Sequence, residues 1–221
     1  MRSAEFRRRL LGRLSPLIHL TDRQIGQLEL YYLLLARWNR RINLTALPLE
    51  PLGAATLDRL FVEPLVARDD VPDGSIRWVD LGSGGGSPAV PLKIVREAAD
   101  LMMIESRSRK AAFLREVIRE VELPNSRVIG ERFESIPREL VAEKSIDLVT
   151  IRAVRPDAGF VGFAERVLAP GGRLLLFGST DMAEIAKSQS LQLRDGVSLP
   201  WDDKGRMKSY RVFHVERSRP E

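Results

Sequence analysis

The segment Ile76-Arg77-Trp78-Val79-Asp80-Leu81-Gly82-Ser83-Gly84-Gly85-Gly86-Ser87-Pro88 decides the fold of this chain. An apolar run ends on an acid and breaks into glycines. Pro91-Leu92-Lys93-Ile94-Val95 then begins a helical pattern. Glycines at a strand-to-helix turn let the backbone approach a ligand closely. The N–H groups at such a helix start suit a phosphate or carboxylate.

Downstream, strands and helices alternate. The strand at 76–81 is followed by a helix from about residue 87 to 97. A second strand, 100–105, leads into an amphipathic helix with Ala111, Leu114, Val117, Ile118 and Val121 on its buried face. A third strand is expected near Arg127-Val128-Ile129 and a fourth at Ile146–Ile151. A helix through Phe160, Phe163 and Val167 ends at Ala169-Pro170-Gly171-Gly172, before a fifth strand at Arg173–Phe177. This order predicts an α/β fold: a mostly parallel, Rossmann-like sheet with helices on both faces. The alternating runs 191–199 and 209–215, around Asp203-Lys204-Gly205, predict a terminal antiparallel hairpin.

Upstream, the pattern is helical. Thr21-Asp22-Arg23-Gln24 reads as a capping box, with Leu28, Tyr31, Leu35 and Trp38 at helical spacing behind it as a core stripe. Pro48 and Pro51 mark a loop into further helix. Residues 1–70 are expected to form an N-terminal helical extension and residues 71–221 the α/β domain.

The chain has 221 residues, no cysteine and a formal net charge of +5. Its length suffices for one substantial α/β domain with an appendage. Without cysteine there are no disulfides, thiolate metal sites or cysteine nucleophiles. His19 and His214 stand in no metal-ligand spacing, so no metal is expected. The basic balance favours a polyanionic partner such as nucleic acid. The start of the chain lacks the apolar core of a signal peptide, and no apolar run is long enough to span a bilayer. A cytoplasmic monomer without membrane attachment is the expectation.

Dinucleotide-binding folds and class I methyltransferases share this architecture, and glycine spacing alone does not separate them. The third diagnostic glycine position holds Ser87. Asp80, two residues before Gly82, would repel a pyrophosphate but attract the ammonium of S-adenosylmethionine, whose carboxylate the turn N–H groups would meet. Glu105, at the end of the second strand, stands where an acid accepts hydrogen bonds from a ribose diol. Both cofactors use such an acid.

Methylation at cytosine C5 needs a cysteine nucleophile, which is absent. Exocyclic amino methylation commonly uses an Asn/Asp-Pro-Pro-aromatic tetrad after the fourth strand, where this chain has Thr150-Ile151-Arg152-Ala153-Val154. A ring nitrogen such as guanine N7 already presents a lone pair and needs only alignment. Small-molecule acceptors stay open on this ground. No catalytic residue follows from the sequence. Arg152, at the carboxyl edge of the sheet, could orient a phosphate, the cofactor or a guanine edge, or form a salt bridge.

The chain resembles the RsmG/GidB family of bacterial 16S rRNA guanine-N7 methyltransferases over most of its length. Trp38-Asn39-Arg40-Arg41-Ile42-Asn43-Leu44-Thr45-Ala46 is similar to that family's Trp-Asn-x-x-x-Asn-Leu-Thr signature. The glycine run with Pro88 and Pro91, Phe113–Val117, Arg132-Phe133-Glu134 and Thr150–Val154 match further family segments. The resemblance implies S-adenosylmethionine at Gly82, Gly84, Ser87, Glu105, Phe133, Glu134 and Arg152, with Phe133-Glu134 beside the adenine. It also implies 16S rRNA of the small ribosomal subunit as substrate. Leu60 and Phe177 stand where the family carries histidine and lysine, Pro88-Ala89 where it carries Pro-Gly, and Arg109-Lys110 where it carries Lys-Arg.

Three basic stretches, Arg7–Arg9, Arg37–Arg41 and Arg107–Lys110, are candidates for phosphate contacts or solvated helix faces. Arg40, Arg41, Arg109 and Lys110 are the expected RNA contacts, with Arg109-Lys110 the strongest because the pair opens a helix near the cofactor edge. Two other readings compete with an rRNA methyltransferase: a nicotinamide-dependent oxidoreductase and a non-catalytic RNA-binding relative.

Overall fold

The computed structural model describes residues 2–14, 18–152, 157–178, 191–199 and 208–215. Among the described residues seven strands form one sheet: β1 (Arg77–Leu81), β2 (Asp100–Ile104), β3 (Ser126–Ile129), β4 (Ile146–Arg152), β5 (Leu168–Phe177), β6 (Leu191–Leu199) and β7 (Lys208–Val215). Their order is β3-β2-β1-β4-β5-β7-β6. The first five are parallel, and β7 is antiparallel to both β5 and β6. The parallel sheet and the antiparallel hairpin both match the sequence reading. The turn at Asp203-Lys204-Gly205 lies outside the described residues.

The helices are α1 (Arg2–Leu14), α2 (Asp22–Asn39), α3 (Ala54–Leu57), α4 (Glu63–Val66), α5 (Ala89–Val95), α6 (Ser108–Glu120) and α7 (Ala158–Val167). Thr21 caps α2 by the expected box, its hydroxyl accepting from Gln24 N–H while the Gln24 side chain accepts from Thr21 N–H. Asp157 caps α7 by accepting from Phe160 N–H. A π-helical turn, Asp58–Val62, joins α3 to α4.

Alternate residues of a strand face opposite sides of the sheet. Trp78, Leu101, Met103, Leu148, Leu175 and Phe177 face α1, α2, α5 and α6 in one apolar cluster. Val79, Leu81, Met102, Ile104, Val149, Ile151, Leu174 and Leu176 face α7 in the other. Helices thus cover both faces. The N-terminal helices belong to the first cluster: Phe6 stacks on Tyr32 at 4.7 Å and meets Phe61 edge-on. Residues 1–70 therefore share a core with the sheet among the described residues.

The fifth strand begins earlier than its sequence suggests. Leu168 pairs with Ile146, whereas Arg173 pairs with Leu148, so Ala169–Gly172 bulge out of register. Glycine suits this bulge because a Cβ at Gly172 would lie 2.9 Å from the Ala169 carbonyl oxygen and 3.0 Å from that of Ile146. Ala169-Pro170-Gly171-Gly172 read as a helix end because proline and glycine mark turns; the pairing partner, Ile146, is not legible locally. No helix among the described residues is long and apolar enough to cross a membrane.

Candidate active site

The glycine turn lies at the carboxyl edge of the sheet between β1 and α5, where open α/β sheets bind ligands. Gly82, Gly84 and Gly86 all have positive φ. A Cβ on Gly86 would lie 2.9 Å from Val90 Cγ2 and 3.2 Å from the Tyr31 hydroxyl oxygen. Tyr31 belongs to α2, and its hydroxyl donates to the Gly85 carbonyl at 2.6 Å. The helical stripe read as core is buried at Leu28, Tyr31 and Leu35, but Tyr31 also fixes the ligand-facing turn.

Most turn N–H groups are engaged inside the protein. Those of Gly82 and Ser83 donate to the Ile104 carbonyl, and that of Gly86 donates to the Ser83 carbonyl. Gly84 N–H donates to Glu105 Oε2 at 2.9 Å. This corrects the expectation that the turn as a whole would meet a carboxylate: the tight bend folds these donors inward. Gly85 and Ser87 N–H have no partner among the described residues.

Two cavities flank this turn. One, of about 630 Å³, lies between the turn, the loop after α2 and the π-helical turn. Gly82, Gly84, Ser87, Arg59, Lys110 and Arg152 are among its walls. The other, of about 180 Å³, is lined by Leu81, Gly82, Glu105, Phe133, Glu134 and Phe160, among others. Glu105 and Gly82 line both. Glu105 is buried, its Oε1 accepting from Arg107 N–H at 2.8 Å while Oε2 takes Gly84 N–H. Phe133, on the wall of the second cavity, packs edge-on against Phe163. The structure thus places Gly84, Ser87 and Arg152 on the larger cavity and Phe133 and Glu134 on the smaller, with Gly82 and Glu105 on both.

Asp80 sits elsewhere than expected. It is buried beneath the turn and lines neither cavity. The register explains its contact: Asp80 lies directly across from Thr150 in parallel strands, and Thr150 Oγ1 donates to Asp80 Oδ1 at 2.5 Å. Trp78 Nε1 donates to the same hydroxyl oxygen at 2.8 Å. Asp80 Oδ2 is buried without a partner among the described residues. Burial pushes the carboxyl up to about 6, against the opposing pull of Ser83, Thr150 and Arg152.

Arg152 is likewise buried, and its neighbours follow from the same strand parity. It lies across from Phe177, with its guanidinium 4.9 Å from the ring centroid. Nη1 donates to Glu63 Oε2 at 2.6 Å, while Nε and Nη2 are buried without partners among the described residues. Burial lowers its pKa, opposed chiefly by Glu63. The salt bridge that the sequence left open as the alternative for Arg152 does form, and it is buried. Glu63, Thr150, Trp78 and Tyr31 were not legible as site residues, because each joins the cluster only through tertiary packing.

These features fit an amino-acid-bearing nucleoside. Unpaired Arg152 donors suit an anion, Glu105 stands between a more polar and a more apolar cavity, and the orphaned Asp80 Oδ2 sets negative charge behind the turn without reaching either. No group of three or more His, Asp or Glu that could hold a metal occurs among the described residues.

The loop after α2 owes its shape to Asn39. Its Oδ1 accepts from Leu44 N–H at 2.9 Å and Thr45 N–H at 3.0 Å. Leu44, Thr45, Ala46 and Leu47 thereby line the larger cavity. The hydroxyl of Ser87 donates to the Leu60 carbonyl at 2.9 Å, tying the turn to the π-helical segment. The basic residues divide. Lys110 lines the larger cavity, Arg41 and Arg109 line a separate one, and Arg40 pairs with Glu50 at 2.8 Å. Arg7 and Arg9 pair with Asp22 and Glu5.

Residues 24–199 match the sequence profile of GidB, described as rRNA small subunit methyltransferase G. A ribosomal RNA small subunit methyltransferase G of Paracoccus denitrificans is 36% identical over 174 residues, covering 76% of this chain and 84% of the relative. One from Chloroflexus aggregans is 36% identical, covering 78% and 71%. Among solved structures, a SAM-dependent methyltransferase from Aquifex aeolicus superposes with a TM-score of 0.58 at 14% identity, over 75% of this chain and 96% of that one. The [4+2]-cyclase SpnF superposes at 0.63 and 14% identity, over 91% and 98%. At such identity the likeness is one of fold. The matched profile spans the Asn39 loop, the glycine turn, Glu105 and Arg152, and the chain belongs to the rRNA small subunit methyltransferase G family.

Proposed function

We propose that this chain transfers the methyl group of S-adenosylmethionine to N7 of a guanine in 16S rRNA of the small ribosomal subunit. The carrying observation is that the family profile covers both cavities and the turn that divides them. The cofactor supplies a methyl group made electrophilic by its sulfonium. Phe133 and Glu134 hold the adenine, Glu105 the ribose, and Gly85 and Ser87 N–H the carboxylate. The unpaired carboxylate oxygen of Asp80 supplies negative charge behind the turn.

The larger cavity receives the guanine. Arg59, Arg107, Lys110 and Arg152 on its walls outnumber the acid Glu105 and suit an anionic strand. Arg152, its guanidinium over the Phe177 ring, offers Nε and Nη2 to the guanine edge or the cofactor. N7 would take the methyl carbon with its own lone pair while the carbon–sulfur bond breaks and its electron pair returns to sulfur, releasing S-adenosylhomocysteine; no proton is removed first, so alignment suffices. The protein acts as a cytoplasmic monomer.

Calorimetric titration with S-adenosylhomocysteine and NADH tests the cofactor. Binding of the first alone is expected; tight binding of NADH overturns the reading. Labelled S-adenosylmethionine with small subunits from a methylation-deficient strain tests the acceptor. RNA binding without label in rRNA would favour a non-catalytic relative.

A further inference from the structure

A second basic cavity, of about 560 Å³, lies between the end of α2 and the start of α6, lined by Arg37, Trp38, Arg41, Ile42, Arg109 and Glu116. Arg37 pairs with Glu116, the one acid there. Arg41 and Arg109 have no acidic partner among the described residues, which leaves the cavity net positive. Trp38 is only partly buried, propped edge-on by Phe113 at 5.8 Å. A half-buried indole beside the Arg41 and Arg109 guanidiniums matches the chemistry of an unstacked nucleotide: an aromatic surface for the base and cations for the phosphate.

Its position gives the cavity a role. Arg109 lines it, while the next residue, Lys110, lines the larger cavity beside the glycine turn. Ile42 lines it, while Leu44 and Thr45, two and three residues on, line the larger cavity. Neighbouring residues of one helix turn and one loop thus wall both spaces, and Asn39 fixes the loop between them.

We infer that this cavity is a second nucleotide site for single-stranded RNA. It holds a nucleotide flanking the one that enters the larger cavity, with the base against Trp38 and its phosphate between Arg41 and Arg109. The inference rests on the rRNA reading and assigns Arg109 and Lys110 to different nucleotides.

The test titrates full-length protein, saturated with S-adenosylhomocysteine, with a fluorescent single-stranded oligoribonucleotide, and measures methylation of small subunits in parallel. Trp38→Ala should weaken oligonucleotide binding about ten-fold, the loss of one stacked base. Arg109→Gln should lower the slope of log affinity against log salt by about 0.7, one phosphate contact on a single strand. Glu116→Gln should tighten binding, which a merely structural role would not produce. In all three, S-adenosylhomocysteine affinity should hold, and the change should fall on KM for subunits more than on kcat.

Unchanged oligonucleotide affinity in both Arg109→Gln and Arg41→Gln overturns the proposal. So does a loss confined to intact subunits, which would assign the cavity to a ribosomal protein. Should Trp38→Ala unfold, the three charge variants decide. Wild-type protein that binds RNA in this manner but transfers no methyl group would count against the activity alone.

Discussion

The carboxylate of Glu63 lies 2.6 Å from Nη1 of Arg152, and the two side chains are only 4% and 8% exposed. Glu63 comes from α4 and Arg152 from the end of β4, so the pair ties the N-terminal helices to the carboxyl edge of the sheet. Removing one partner leaves a buried charge alone. Glu63→Ala should therefore lose roughly 3–5 kcal/mol in urea denaturation. A loss under about 1 kcal/mol, the range of an exposed pair, would show that solvent reaches Arg152.

Tyr31 holds the glycine turn from α2. Tyr31→Phe removes the donor to the Gly85 carbonyl while keeping the ring, at a cost of about 1–2 kcal/mol in stability. Because the turn also walls the cavities proposed to hold the cofactor, S-adenosylhomocysteine affinity should fall with it. Unchanged affinity, by calorimetry, would mean that the turn holds its shape without α2.

Gly86→Ala should be more damaging than Gly84→Ala. Both glycines have positive φ, but only at Gly86 does a Cβ approach within 3 Å of another group, Val90 Cγ2. Thermal melts of the two variants, with and without S-adenosylhomocysteine, compare them directly. Equal loss would assign the cost to the backbone conformation alone.

Asp80 should make stability depend on pH. Its carboxyl titrates near 3.8 when unfolded and at about 6 when buried. Between these values the folded chain keeps a proton that the unfolded chain has released. Stability should therefore fall relative to Asp80→Asn as pH rises from 3.8 to about 6, by roughly 3 kcal/mol, and level off above. A cofactor ammonium near the freed charge should reverse this, so wild-type affinity for S-adenosylhomocysteine rises through the same window and that of Asp80→Asn stays flat. Denaturation and titration series across pH 4–8 check both, and parallel pH curves for the two proteins would contradict the assignment.

The alternation of strands and helices and the end of β1 were legible because periodicity and glycine position are local signals, whereas the order of strands in the sheet and the start of β5 are set by pairing between distant segments. Glu105 was legible for the same reason, as an acid at a strand end. Asp80 was found but misplaced: its type and spacing suited a ligand contact, yet the register sets it against Thr150, behind the turn. Phe177 looked like a loss of charge and is the surface on which Arg152 rests. Glu63 and Tyr31 gave no signal beyond helix, since their roles arise from packing of α4 and α2 against strands far along the chain. Likewise, Arg109 and Lys110 are adjacent in sequence, and only the helical turn sends them into different cavities.

The most direct test of the central claim is to map N7-methylguanine in 16S rRNA after incubating methylation-deficient small subunits with S-adenosylmethionine and this protein. One new N7-methylguanine is predicted, absent without the protein and lost with Glu105→Ala, which removes the carboxylate shared by both cavities. No new methyl group, or one on another atom or another RNA, would contradict the account.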